Sequence, residues 1–591
     1  MKKHGFVFRI AAILASLVLI LSLAGCVKDY SDWLSSVAEQ AGIETLVPAD
    51  PTKEPARPTR PPETQPSSSD ATEEPSSAAP LPPVSGDLIP EYREITKEEF
   101  EALCKELTEA ASGNDFSKIK ELYDKLYQEY EQICDNYTLS YLAYCRKVSD
   151  DGLSQKYQDL EALAYDLGDL ACQAFRAVTQ GPCAGDFKSY VDDVAFDYFA
   201  EYEDMTDQEK EWQKRETELV TKYNKIIDEH SDEIYVEDEK INKLVGPIYL
   251  ELVALRTEMA KHYGYDNYAD YADENVFNRD YDGKAAEAFH AAVKEIAPEY
   301  FDALYFTDAY FGMMNVKDKM KTDEMIAKLG ELAQKISPLA EQYQKVLADH
   351  QLYDISSASG RLDAGYTTSF DTTDCAYIFM TTSDNARDFM TLTHEFGHFI
   401  NMNLVINPNT FAFGSSMDLN EIHSNGFEAL CTKYYSEVFG KNADKALSAC
   451  LIELLMNVVD GCIYDEFQRR VYENPGMSLD DINDMFESLS WEYGNYYQSK
   501  YIWQYVNHNF ESPMYYLSYA ASGIVALQIW SVSQKDYPKA VRMWEDIEKA
   551  GPYDFGYFEL LDNLDIRTFD DKANVVQICM DALNRIHELN P

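Results

Sequence analysis

Proline placement divides this chain and limits what each part can fold into. Twelve of the 22 prolines fall between positions 47 and 90, and from about Glu91 onward the pattern is helical almost throughout. Leu103, Leu107, Ile119, Leu122, Leu126 and Tyr130 recur at three- and four-residue spacing, as do Leu219, Tyr223, Ile226 and Ile227. That period is the mark of a helix with one buried face. Few segments alternate as strands do; the best candidates are Gly365–Phe370 and 376–381, the latter reading AYIFMT. The expected fold is mainly α, about 500 residues with one small sheet. No internal repeat is visible, so a helical body this large must enclose something or be bilobal.

The N-terminal 90 residues read differently. Lys2, Lys3 and Arg9 precede an apolar run at 10–23. Fourteen residues suit a signal-peptide core but fall short of the roughly 20 that cross a bilayer. The run ends in Leu23-Ala24-Gly25-Cys26, which resembles a bacterial lipobox. In that pattern the cysteine is diacylated and becomes the mature N-terminus, and two acyl chains anchor a protein stably. No later stretch of about 20 apolar residues is evident in the sequence, so lipid on Cys26 is the expected anchor. Residues 27–90 are rich in Pro, Ser, Thr and Glu and too polar to fold, which makes them a spacer. The expected organisation is a signal segment over 1–26, a linker over 27–90 and a helical domain over 91–591, outside the cytoplasm and lipid-anchored at the cell membrane.

Charge and cysteine usage exclude some functions. The net charge is −52, spread along the chain, so nucleic-acid binding is not expected. Ten cysteines follow Cys26 without a CxxC, which argues against a thiolate zinc site; most should be small buried apolar residues.

The chemistry concentrates in Thr391-Leu-Thr-His-Glu-Phe-Gly-His-Phe-Ile400. His394 and His398 at i and i+4 project from one helix face, where two imidazoles can ligate one zinc. Glu395 beside them can take a proton from water activated there. Gly397 costs a helix roughly 1 kcal/mol relative to alanine, and a glycine there allows another segment to approach closely. A bare HExxH also arises by chance on surface helices. A third ligand is required, and Asp418-Leu-Asn-Glu421-Ile-His-Ser-Asn-Gly-Phe-Glu428 offers it on a second helix-like run. Glu421 lies far enough past His398 for a turn and a returning helix. Glu428, two turns further along the same face, can orient a ligand histidine from behind. His423, rotated about 200° from Glu421, should point away.

HEFGH followed by NEIHSNGFE resembles the thimet oligopeptidase and oligoendopeptidase F family of zinc peptidases, with HExGH, a glutamate ligand some two dozen residues later and another glutamate seven positions on. The stretch from Gly360-Arg361 through Gly365-Tyr366 into AYIFMTTSDNARDFMTLTHEFGH is similar to that family's edge strand leading to its zinc helix. LRTEMAKHYGYDNYADYADE, from Leu255, resembles its Arg…Gly-Tyr…Tyr…Tyr segment. Residues 503–523 hold His508, Pro513, Tyr515, Tyr516 and Tyr519, similar to its His-x4-Pro-x-Tyr-x3-Tyr segment. There are departures: Asn401 stands where many members have another histidine, Ile422-His423 replace small residues, and Ser522 replaces a tyrosine of the thimet branch. These place the chain nearer the oligoendopeptidase F branch and put substrate preference in doubt.

The resemblance implies a zincin-type helical metallopeptidase domain with a deep substrate channel, one zinc ion per chain, short unfolded peptides as substrates, and a monomer. It implies ligand roles for His394, His398 and Glu421, a general base in Glu395, and oxyanion or substrate contacts from His508, Tyr515 and Tyr519. Ala376, Tyr377 and Tyr516 would touch substrate. Two rival readings stay open: a catalytically inactive peptide-binding lipoprotein of the same fold, and a helical zinc carboxypeptidase.

Overall fold

The computed structural model describes residues 88–590, apart from 192, 204–205, 315, 317–318, 406–415 and 551–554. The expected signal segment, Cys26 and nearly all of the spacer lie outside the described residues.

Helices dominate, as the periodicity predicts. The first three, α1 (Lys97–Ala111), α2 (Phe116–Cys145) and α3 (Asp151–Thr179), start where Thr96, Asp115 and Asp150 accept hydrogen bonds from the backbone N–H groups of Glu99, Lys118 and Leu153. Those bonds satisfy donors that a helix start leaves unpaired. Leu107, Ile119, Leu122, Leu126 and Tyr130 are buried together with Phe175 and Phe199 in one apolar cluster, while Leu103 packs at its margin. The second and much larger cluster spans the rest of the domain and includes Leu139, Leu142 and Cys145 from the end of α2. Helix α2 therefore runs through both cores.

Three strands form the sheet, in the order β1-β3-β2. β2 (Gly365–Phe370) and β3 (Cys375–Thr381) pair antiparallel, with Thr367 opposite Ile378, near the bounds the sequence predicts. β1 (Tyr353–Ser356) joins β3 in parallel and was not foreseen, because its four residues bury one side chain and carry no alternation. Against the sheet lies α4 (Arg387–Leu404), and across α4 lies α5 (Met417–Cys431). Two further helices complete the surround: α6 (Ala443–Glu473) and α7 (Tyr516–Ser533), which packs along α5 and α6.

Within Met417–Glu473 an 18-residue window reaches a mean hydropathy of 1.7, but 72% of it is buried inside the fold, as suits a core helix. The ten cysteines among the described residues are all free, and all but Cys134 are buried.

Candidate active site

Helix α4 carries the HExxH residues from the sheet toward α5. Its N-terminal end is fixed by Asp388, whose carboxylate accepts hydrogen bonds from the Ser383 and Asn385 N–H groups at 2.8 and 3.1 Å. Midway along, Gly397 marks the crossing with α5. A Cβ at Gly397 would sit 2.5 Å from Ser424 Cα and 2.6 Å from the His423 carbonyl oxygen. The helix-weakening glycine is thus the residue that lets the two backbones touch.

That crossing brings the three predicted ligands together. Nε2 of His394 and Nε2 of His398 each lie 3.4 Å from Oε2 of Glu421, and one donor atom from each residue falls within 4.8 Å of the other two. No other such group of metal-ligating side chains occurs among the described residues. His398 Nε2 and Glu421 Oε1 are buried without a hydrogen-bond partner, a costly arrangement for a protein to leave unsatisfied. Two imidazole nitrogens and a carboxylate oxygen form a donor set that suits zinc, so the residues present fit a divalent ion. Burial works against charge on both His394 and Glu421. The adjacent carboxylates of Glu421 and Glu428 nevertheless hold a proton on His394 well above its usual range, and the His398 and His394 charges keep Glu421 well below its own. Glu428 stands behind His394, with Oε2 3.7 Å from Nδ1.

Glu395 faces β2. Thr367 Oγ1 lies 2.9 Å from both its carboxylate and its backbone carbonyl, and a Cβ at Gly365 would meet Thr391 Cγ2 at 2.9 Å and Glu395 Oε1 at 3.4 Å. Burial pushes the Glu395 carboxyl above the ordinary glutamate range, against the pull of the two histidines. Thr367 was not foreseen; its place on the strand preceding the motif helix was the available signal.

The 503–523 segment folds as a short turn, then a four-residue helix (His508–Glu511), then α7. His508 and Tyr519 pair at 3.3 Å between Nε2 and the hydroxyl, and the His508 and Tyr515 rings stack with centroids 5.3 Å apart. Burial lowers the His508 imidazole to about 4, so it is neutral at physiological pH. Burial raises the Tyr515 hydroxyl, and the Glu421 carboxylate raises it further; α7, which Tyr515 precedes, packs along α5. Tyr516 stays half-exposed, its ring 5.3 Å from His508 and 4.9 Å from Tyr464. His423 turns away as expected: it is buried, with Nε2 3.3 Å from Asn401 Nδ2.

Ala376 and Tyr377, expected to touch substrate, lie within the sheet. Both are 0% exposed in β3, opposite Ser369 and Thr368 of β2, while β1 pairs with β3 only from Ile378 onward. The strand bordering Glu395 is β2. Also unforeseen is Arg256, fully buried in the segment from Leu255. It donates to Glu216 at 2.6 Å and to the Phe510 carbonyl, two residues past His508.

No family model matches the chain, and no curated protein matches its sequence. Solved structures do. A protein provisionally named oligoendopeptidase F is 18% identical with a TM-score of 0.67, over 84% of this chain and 98% of that one. PZ peptidase A, solved with an inhibitor, is 18% identical with a TM-score of 0.66, over 84% and 98%. A carboxypeptidase from Pyrococcus furiosus is 12% identical with a TM-score of 0.52, over 81% and 99%. At these identities the likeness is one of fold: this chain is built on the helical scaffold of oligoendopeptidase and carboxypeptidase structures.

Proposed function

We propose that the protein is a zinc-dependent oligoendopeptidase that hydrolyses internal bonds of short, unfolded peptides. The observation that carries this reading is the convergence of His394, His398 and Glu421 with Glu395 alongside. A divalent ion held by those three side chains supplies Lewis acidity, lowering the pKa of water and polarising a peptide carbonyl. Glu395, buried and held by Thr367, takes the proton from the attacking water and returns it to the leaving amine. Neutral His508 and the hydroxyls of Tyr515 and Tyr519 donate to the oxygen that gains charge as the carbonyl carbon becomes tetrahedral. Glu428 orients His394. Retention of Glu395 speaks against a pure binding protein, which has no use for a general base.

The carboxypeptidase reading is favoured by the Pyrococcus furiosus likeness. A quenched-peptide panel of about 5 to 20 residues, run with and without chelator, tests both readings. The expected result is internal cleavage that chelator abolishes and zinc restores. Release of single C-terminal residues would replace the endopeptidase reading, and activity indifferent to chelator would remove the metal from it.

On sequence grounds we also propose that Cys26 carries lipid and tethers a monomeric domain outside the cytoplasm through the 27–90 spacer. Cys26→Ala is expected to move the protein from the membrane fraction to the soluble fraction, or to block its maturation. Unchanged partitioning would show a different anchor.

A further inference from the structure

Four elements meet at one buried guanidinium. Arg279 is 7% exposed overall, and its side chain is fully buried. Nη1 donates to Asp273 at 2.6 Å, and Nε lies 3.4 Å from Oδ1 of Asp418. Nη2 donates to the Met514 carbonyl at 2.9 Å and to Ser518 Oγ at 3.1 Å. Asp418 lies in the first turn of α5, three residues before Glu421, and it also accepts from Ser518 Oγ at 2.5 Å and from the Tyr281 hydroxyl. Asp273 is shared with Arg469, at 2.8 Å. No solvent-exposed group enters the set, so its geometry is fixed by its own members.

Met514 is the informative partner. Its φ is +74°, a left-handed conformation that long side chains rarely adopt, and it immediately precedes Tyr515. Its carbonyl is held by Arg279 and its N–H is held by the side-chain oxygen of Gln468. Strained backbone of this kind persists where its surroundings over-determine it, and it concentrates at functional sites. Here the strain sets the direction in which the chain delivers Tyr515 and, four residues later, Tyr519 into α7, which packs along the Glu421-bearing α5.

We infer that Arg279 is a positioning residue that fixes the Tyr515–Tyr519 donors relative to the Glu421-bearing helix. One planar fork bonds the carboxylate one turn before the ligand and the carbonyl one residue before the donor, so the two halves of the site share a reference point. A lysine keeps the charge but cannot hold both with fixed angles. This inference rests on the peptidase reading above.

The test is a double-mutant cycle on the zinc-loaded protein, reading kcat, KM, metal content and melting temperature. Arg279→Lys is expected to lower kcat by about 10²-fold, with KM within about twofold and one zinc per chain retained. In a Tyr515→Phe background the same change should cost less than about tenfold, because one of the two donors it positions has gone. A merely structural arginine would cost the same factor in both backgrounds, and that result overturns the inference. So does unchanged kcat. If Arg279→Lys does not fold, Ser518→Ala replaces it: that change removes only the hydroxyl between Arg279 and Asp418, and the same non-additivity with Tyr515→Phe is required. A wild type that cleaves no peptide with zinc bound overturns the peptidase reading itself, and this inference with it.

Discussion

Glu395→Gln is expected to keep metal and peptide binding and to lose turnover. Glutamine preserves the size of the side chain and an oxygen that can accept from Thr367 Oγ1, now 2.9 Å from the carboxylate. It cannot take a proton. Losing a positioned general base lowers rate by roughly 10²–10⁴-fold, and the loss is larger where the same group also delivers the proton to the amine. Burial raises the wild-type carboxyl, which brings it nearer to working pH and makes it a better base than a solvated glutamate. Metal analysis, peptide titration and single-turnover kinetics on the two proteins separate the outcomes. Turnover within about tenfold of wild type would remove Glu395 from the base role. Binding by both proteins, with cleavage by neither over the full peptide panel, would establish the binding-protein reading instead.

The second large effect is expected from Gly397→Ala. In an ordinary helix this change stabilises by up to about 1 kcal/mol, so even its sign is diagnostic. Here the new methyl would lie 2.5 Å from Ser424 Cα and 2.6 Å from the His423 carbonyl oxygen. Both are backbone atoms and cannot rotate aside. Helices α4 and α5 must part or tilt, and Glu421, on the α5 turn that touches Gly397, moves away from both imidazoles. Overpacking of this kind costs about 1–3 kcal/mol. Melting with and without zinc, together with chelator competition, should show a destabilised protein that also holds zinc more weakly. A raised melting temperature, or wild-type zinc affinity, would show that the close crossing is not what sets the ligand geometry.

The local parts of the site were legible in the sequence because they depend on short-range periodicity. His394 and His398 share a helix face at i and i+4, and Glu421 and Glu428 do so at i and i+7, so the crossing of two helices completes the set. Gly397 was legible for the same reason: a costly residue in a strong pattern requires a neighbour. Strand order was not legible. Nothing in AYIFMT distinguishes a central strand from an edge strand, and the partner that makes β3 central, β1, is four residues with one inward side chain. The Arg279 set was invisible because its partners lie 139, 235 and 239 residues away, at Asp418, Met514 and Ser518. Among 43 tyrosines, no local pattern distinguishes Tyr281, which bonds Asp418, from the many that only pack.

Helix α2 belongs to both apolar cores, and this bears on how the molecule comes apart. Ile119 through Ile133 are buried with α1 and α3, while Leu139, Leu142 and Cys145 are buried in the larger body. At the changeover Asp135 accepts from the Asp371 and Thr372 N–H groups at 2.7 and 3.2 Å, gripping the turn between β2 and β3. Neither core can open along this helix without uncovering apolar surface in the other. Denaturation of the two should therefore be cooperative, where two linked domains would melt in steps. A trimmed protein lacking α1–α3 would also lose the buried acid that holds the hairpin beside Glu395. The N-terminal helices act as a wall of the larger body, and removing them is expected to destabilise it.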